Sequence, residues 1–157
     1  MDAVRARTAA LRLSVLDSGR EDADSIGEFL FWLLHAYFLI GSHTNDPNNK
    51  HPEYRNRDLD ETHLERLESF QAALEKDVRL PEFFIAGASA PLAADCDILC
   101  TEVRRLERSI VALKETVPDF DTSVILPFVN RLSDTLFMLA RKLEDGDFQA
   151  VDYNVLD

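Results

Sequence analysis

The chain has 157 residues, a formal net charge of −12 and 46% hydrophobic residues. That length supports one domain with a substantial core, and the negative field disfavours nucleic acid or an anionic membrane as general partners. Lysine is confined to Lys50, Lys76, Lys114 and Lys142 while aspartate is abundant, so the surface reads as an acidic, solvated shell.

Glycine and proline are few and the apolar spacing is helical almost throughout, which predicts an all-α fold: one helical-bundle domain over residues 1–157, with an N-terminal helix within 1–23 and an acidic tail at 145–157. The longest apolar run, 29–40, is interrupted by His35 and is shorter than the roughly 20 residues a bilayer span needs. With no charged-then-apolar leader in view, the expectation is a cytoplasmic protein that engages no membrane.

Residues 3–16 form a first helix with Val4, Leu11, Val15 and Leu16 on one face, and Ser18-Gly19 stops it. The second helix, 24–40, is apolar around nearly its whole circumference, so it is either central or shared between the core and an oligomer contact. Within it, His35 reads as a histidine hydrogen-bonded in a packed core rather than as a ligand. Residues 41–57, with Asn45-Asp46-Pro47-Asn48-Asn49 and Pro52, read as a long loop. His43 and His51, with His63 beyond them, lack the close pairing of a metal site, and neither copy of a Glu-x-x-His di-iron motif is present. No metal site is expected.

A third helix spans 59–78, with Asp58 and Glu61 at capping-box spacing and Leu64, Leu67, Phe70 or Gln71, Leu74 and Val78 facing inward. Glu65, Glu68 and Glu75 read as its solvated face, and Pro81 ends it. The run 82–90 leads to a fourth helix, 91–117, where Leu92, Cys96, Leu99, Val103, Leu106, Ile110 and Leu113 make a heptad seam. Cys96 and Cys100, one turn apart, read as small buried residues in a reducing compartment. Glu107 shares the angular position of Cys100 just off that seam, with Arg104 beside it; Arg105 and Arg108 lie further toward solvent.

A fifth helix begins after Asp121, tolerates Pro127 near its first turn and ends about Glu144. Val129, Leu132, Leu136, Leu139 and Leu143 line it, and beside them runs a second row of Asn130, Asp134, Phe137 and Arg141. A half-buried carboxylate without a partner is costly, so Asn130 and Asp134 are either solvated or answered, Arg104 and Glu107 being the groups placed to meet them. The tail, with Phe148, Val151, Tyr153 and Leu156, either packs as a lid or stays free.

The run Asn130-Arg131-Leu132-Ser133-Asp134-Thr135-Leu136-Phe137, followed by Leu139-Ala140-Arg141, resembles the C-terminal signature helix of the trimeric cobalamin adenosyltransferases. Phe84-Ile85-Ala86-Gly87-Ala88-Ser89 is similar to that family's Phe-Ile plus small-residue turn, and Arg104-Arg105-Leu106-Glu107-Arg108 to its Arg-Arg-x-Glu-Arg helix. The resemblance implies a homotrimer of ferritin-like, five-helix up-and-down bundles with a four-helix core. Between subunits, an adenosyl group would pass from ATP, accompanied by Mg2+, to cob(I)alamin with release of triphosphate. It assigns Arg104 to the polyphosphate and Glu107 to orienting the nucleotide, the two taken as catalytic. Asn130 would hydrogen-bond ATP, Phe84 would lie against the corrin face from which the lower axial ligand is displaced, Asp134 would shape the corrinoid side, and Arg108 joins the ligand-binding set.

The chain departs from that pattern in its first third. The family's glycine-rich segment, Tyr-Thr-x-x-Gly-Asp-x-Gly-x-Thr, wraps the triphosphate, yet Gly19 is the one glycine here before Ile26. Gly27-Glu28-Phe29-Leu30 aligns with the family's Asp-Glu-Leu-Asn, and Cys100 stands where the resemblance implies an arginine paired with that aspartate across the subunit boundary. Loss of both halves together is the expected way to relinquish an ion pair. The alternative to an active transferase is therefore a non-catalytic trimer that keeps a corrinoid or other small-molecule cleft without ATP binding.

Overall fold

The structure is a computed structural model describing residues 1–157. Five helices carry it: α1 (Asp2–Leu16), α2 (Ala23–Asn45), α3 (Glu61–Asp77), α4 (Pro91–Thr116) and α5 (Ile125–Leu143). The all-α expectation holds, with one small addition. A strand β1 (Ile85–Gly87) pairs antiparallel with β2 (Gln149–Ala150) in the tail, Ile85 opposite Ala150 and Gly87 opposite Gln149.

Helix α5 is the most enclosed element: Ile125, Phe128, Val129, Leu132, Leu136, Met138, Leu139, Ala140 and Leu143 are all buried, together with the polar Ser133, Thr135 and Arg141. It packs on α4 along one side and on α3 along another. The α4 face is the sequence-predicted seam, with Cys96, Leu99, Val103, Leu106 and Ile110 buried, and Ala93 and Cys100 beside them. Both cysteines are free, and their thiols donate to α5 carbonyls, Cys96 Sγ to Leu136 O and Cys100 Sγ to Ser133 O, each at 3.2 Å. Small side chains at these positions let the two backbones approach, and the pairings run in opposite chain directions, so α4 and α5 are antiparallel.

Helix α1 covers α2 and α4 with Val4, Thr8, Leu11 and Val15, whereas Leu16 is partly exposed. Where α1 meets α2, the Arg12 Nε–H donates to the Gly27 carbonyl at 3.0 Å. A Cβ built on Gly27 would stand 2.7 Å from Leu16 Cδ2, so the glycine is a point of close helix contact. Helix α2 contributes Phe29, which stacks on Phe70 of α3 with centroids 3.6 Å apart, and Trp32, which meets the edge of Phe128 of α5. By length and composition α2 could cross a bilayer, but Ile26, Leu30, Leu33, Tyr37 and Ile40 are buried among the other helices, as in a core helix. Its outer face leaves Phe31 49% and Phe38 59% exposed, partly covered by Arg12 and Arg5 stacked over the respective rings.

Several expectations need correction. Helix α2 does not stop at Ile40 but continues to Asn45, so the polar segment contributes a last helical turn before its 3-10 turn at Pro52–Tyr54. His35 is exposed, its Nδ1 2.9 Å from the carbonyl oxygen of Phe31 one turn back, and is not a core histidine. The α3 cap is Asp60 rather than Asp58: Asp60 accepts the Thr62 N–H at 3.1 Å, while His63 at the third position turns its Nδ1 back onto the Asp60 carboxylate, 2.6 Å from Oδ1. Asp58 is engaged instead with His43 Nε2, at 2.8 Å. The tail is tied into the fold, since Val151 N donates to Phe84 O at 2.9 Å.

Four aspartates that organise chain turns are held below the ordinary carboxylate range. Asp60 falls to about 2 through bonds from Thr62 and His63. Asp46 is lowered by the backbone N–H groups of His51 and Lys50, Asp121 by Ser123, and Asp145 by Arg20. Their folded pKa values lie under the unfolded value of about 3.9, so the stability they add is complete above that pH and disappears as pH falls through the folded values. Urea midpoints should therefore be flat above about pH 5 and drop between about pH 4 and 2. Asp60→Asn, which keeps an acceptor but cannot titrate, should weaken that acid dependence.

Candidate functional site

The antiparallel seam brings the polar borders of α4 and α5 face to face. Asn130 Nδ2 donates to Glu107 Oε1 at 3.0 Å. One turn along, Arg104 of α4 and Asp134, Phe137 and Met138 of α5 line a cleft of about 290 Å3 that is closed on the far side by Gln71, Glu75 and Leu80. The wall supplied by α3 is anchored through Thr135: its hydroxyl donates to Gln71 Oε1 at 2.9 Å, and Gln71 Nε2 donates to Glu75 Oε1 at 2.8 Å. Glu75, which reads from sequence as a solvated face, is thus part of the cleft. A larger open cleft of about 680 Å3 lies at the C-terminal ends of α3 and α5, lined by Lys76, Arg79, Phe83, Lys142 and Phe148 among others. Of the motif residues it contains Arg141 alone, to which the resemblance assigns no ligand role.

Arg104, Arg105 and Arg108 are exposed and none forms an ion pair within the chain. They share that state with other cations of the chain, Arg7, Arg57, Arg66 and Arg79 among them, and differ in lying together on one helix beside the cleft. Glu107, which stands between Arg105 and Arg108 in sequence, is turned to Asn130 instead. Arg104 and Arg108, one turn apart, share a helix face and present two uncompensated guanidinium forks, the geometry that recognises phosphate oxygens.

Phe84 does not line the Arg104–Asp134 cleft. It stands at the head of β1 with its ring 83% exposed. Within one chain the sequence-predicted residues therefore form two groups: Arg104, Glu107, Asn130 and Asp134, with Arg108 along α4, and separately Phe84 on the hairpin edge. The three loop-side histidines form separate carboxylate pairs, His43 with Asp58, His51 with Glu53 and His63 with Asp60, and no cluster of three or more metal-ligating side chains is present.

Sequence reasoning missed one network altogether. Arg141 and Glu144 are each 3% exposed. Arg141 Nη2 donates to Asp97 Oδ2 at 2.6 Å, and its Nε lies 2.8 Å from Glu144 Oε2 in an ionic contact rather than an aligned hydrogen bond. Arg141 also lies over the Phe137 ring, 5.0 Å from its centroid. The signal was present as Arg141 in the second row of α5 with Glu144 three residues on, but the partner that completes the network, Asp97, lies on α4 at a separation that periodicity does not register.

A family model described as cobalamin adenosyltransferase matches residues 1–143. A corrinoid adenosyltransferase of Mycobacterium tuberculosis (strain ATCC 25618 / H37Rv) is 34% identical over 126 residues, 78% of this chain and 64% of that protein. A corrinoid adenosyltransferase of Mycobacterium leprae (strain TN) is 32% identical over 98 residues, 62% of this chain and 51% of that protein. The chain thus spans between about half and two thirds of the length of these relatives. The Glu107–Asn130 contact joins partly exposed groups, so Glu107→Ala and Asn130→Ala should each change unfolding free energy by less than about 1 kcal/mol in urea titrations. A larger loss would make the pair part of the bundle's support rather than of a ligand site.

Proposed function

The chain belongs to the cobalamin adenosyltransferase family, and on that footing we propose that it binds a corrinoid and transfers to it the adenosyl group of ATP. The observation that carries this reading is the α4–α5 border: two unpaired guanidinium groups, Arg104 and Arg108, next to an oriented Glu107–Asn130 pair and a half-apolar cleft. In the transfer, the cobalt of cob(I)alamin attacks the 5′ carbon of ATP, a cobalt–carbon bond forms, and the carbon–oxygen bond to triphosphate breaks. The leaving group gathers negative charge, which Arg104 and Arg108 would neutralise where it develops. Glu107, fixed by Asn130, would accept hydrogen bonds from the nucleotide, and Asp134 with Phe137 and Met138 would border the corrinoid. Mg2+ would arrive with the triphosphate.

The homotrimer implied by the resemblance fits the outer face of α2. Phe31 and Phe38 are large rings left half in water, a surface that a second copy of the chain would cover. It also fits the separation of Phe84 from the cleft, because an intersubunit site would combine the hairpin of one copy with the α4–α5 border of another.

A second reading, a corrinoid-binding homologue without transferase activity, draws support from α1. Residues Asp2–Leu16 are a regular helix with its inner face in the core, rather than a glycine-rich loop offering backbone N–H groups to phosphate. Purified protein mixed with ATP and chemically reduced cobalamin separates the two. The adenosylcobalamin spectrum should appear, and Arg104→Ala should slow its appearance by about 10²-fold. Corrinoid binding without conversion, together with an ATP affinity weaker than about 1 mM by calorimetry, would select the second reading. Sedimentation equilibrium should give three chains per particle, and Phe31→Glu with Phe38→Glu should lower that mass; a monomer in the unsubstituted protein would remove the intersubunit site.

A further inference from the structure

Glu144 follows directly on α5 and its side chain is fully buried, a costly place for a carboxylate that a leucine would fill more cheaply. One of its oxygens, Oε2, faces Arg141, which Asp97 holds from the α4 side. The other, Oε1, accepts the backbone N–H of Ser89 at 2.9 Å. Ser89 lies two residues beyond β1 and two before the first residue of α4. At the opposite end of the same segment, Phe84 O accepts the N–H of Val151 from the tail. The segment Phe84–Ser89 is therefore fixed by its backbone at both ends, whereas the Phe84 ring packs against almost nothing. An exposed ring of this kind is placed by its main chain alone.

We infer that Glu144, oriented by Arg141 and Asp97, is a positioning residue: it pins Ser89 N and so sets where Phe84 stands. This rests on the reading above that Phe84 meets the corrinoid. The carboxylate does not touch the ligand. It removes backbone freedom from the segment before binding, so that ordering the ring costs less when the ligand arrives.

Two substitutions in the full chain separate this role from general support of the fold. Glu144→Gln keeps an acceptor for Ser89 N–H, and Ser89→Pro deletes the donor while leaving the buried Arg141–Glu144 pair intact. Hydrogen exchange at Ile85, Ala86 and Gly87 is read beside titration with hydroxocobalamin and with ATP. In Ser89→Pro, exchange at the three amides should rise about tenfold and hydroxocobalamin affinity should fall about tenfold, with ATP affinity within about twofold. Glu144→Gln keeps a carbonyl for Ser89 N–H but turns its amide NH2 toward Arg141, so its exchange and hydroxocobalamin affinity should fall between those of the parent and of Ser89→Pro, with ATP affinity again within about twofold. Unchanged exchange in Ser89→Pro overturns the pinning, and raised exchange with unchanged hydroxocobalamin affinity overturns its consequence for Phe84. Equal losses for hydroxocobalamin and ATP would reduce Glu144 to a structural residue. If the parent protein itself fails to bind hydroxocobalamin, the proposed function fails, while exchange at β1 still decides whether the segment is pinned.

Discussion

The close approach of α4 and α5 decides most of what this chain can do. Two thiols sit where larger side chains would hold the helices apart, and each reaches a carbonyl of the facing helix at 3.2 Å. Burial raises the pKa of both Cys96 and Cys100, which keeps them neutral and able to donate. Two such contacts on rigid helices leave a single antiparallel register. Slide α5 by one turn and Asn130 loses Glu107, Asp134 leaves the cleft with Arg104, and Arg141 no longer reaches Asp97. The polar chemistry is thus a by-product of how small the apolar seam is.

Charge in this molecule is distributed with a purpose that the net value conceals. A chain at −12 repels itself, and several of its cations are used inside to join elements: Arg141 to Asp97 and Glu144, Lys142 to Asp77, Arg20 to Asp22 and Asp145. The Arg20–Asp145 contact fixes the turn after α1 to the end of α5. There Asp145 takes a left-handed backbone at φ 52° and Gly146 follows at 84°, reversing the chain toward β2. Arg104, Arg105 and Arg108 on α4 take no part in such joints, and a row of free guanidinium groups on one helix is what a ligand of opposite charge would compensate.

Local periodicity carried the helices well because it is a property of consecutive residues: the seams of α4 and α5 lie where steps of three and four put them. The meeting of Arg104 and Glu107 with Asp134 and Asn130 was also legible, since two seams that pack must bring their borders together. What escaped was set by contacts distant in sequence. The cap of α3 shifted from Asp58 to Asp60 because His43, on another helix, takes the Asp58 carboxylate. The β1–β2 pairing was invisible because strands of three and two residues have no period to detect. Glu144 looked like the end of a helix, and only its neighbours in space reveal a buried anion bound to Ser89.

The contact between Gly27 and Leu16 bears on which larger side chains the helix crossings would admit. An aspartate at position 27 would push into Leu16, and an arginine at position 100 would have to enter a site closed by Ser133 and the α5 backbone. Leu16 is a flexible, partly exposed side chain that can swing aside for the first, whereas the second would have to part the α4 and α5 backbones. The two places therefore differ in tolerance: the crossing at Gly27 adjusts locally, while the position of Cys100 is held by the whole length of the seam.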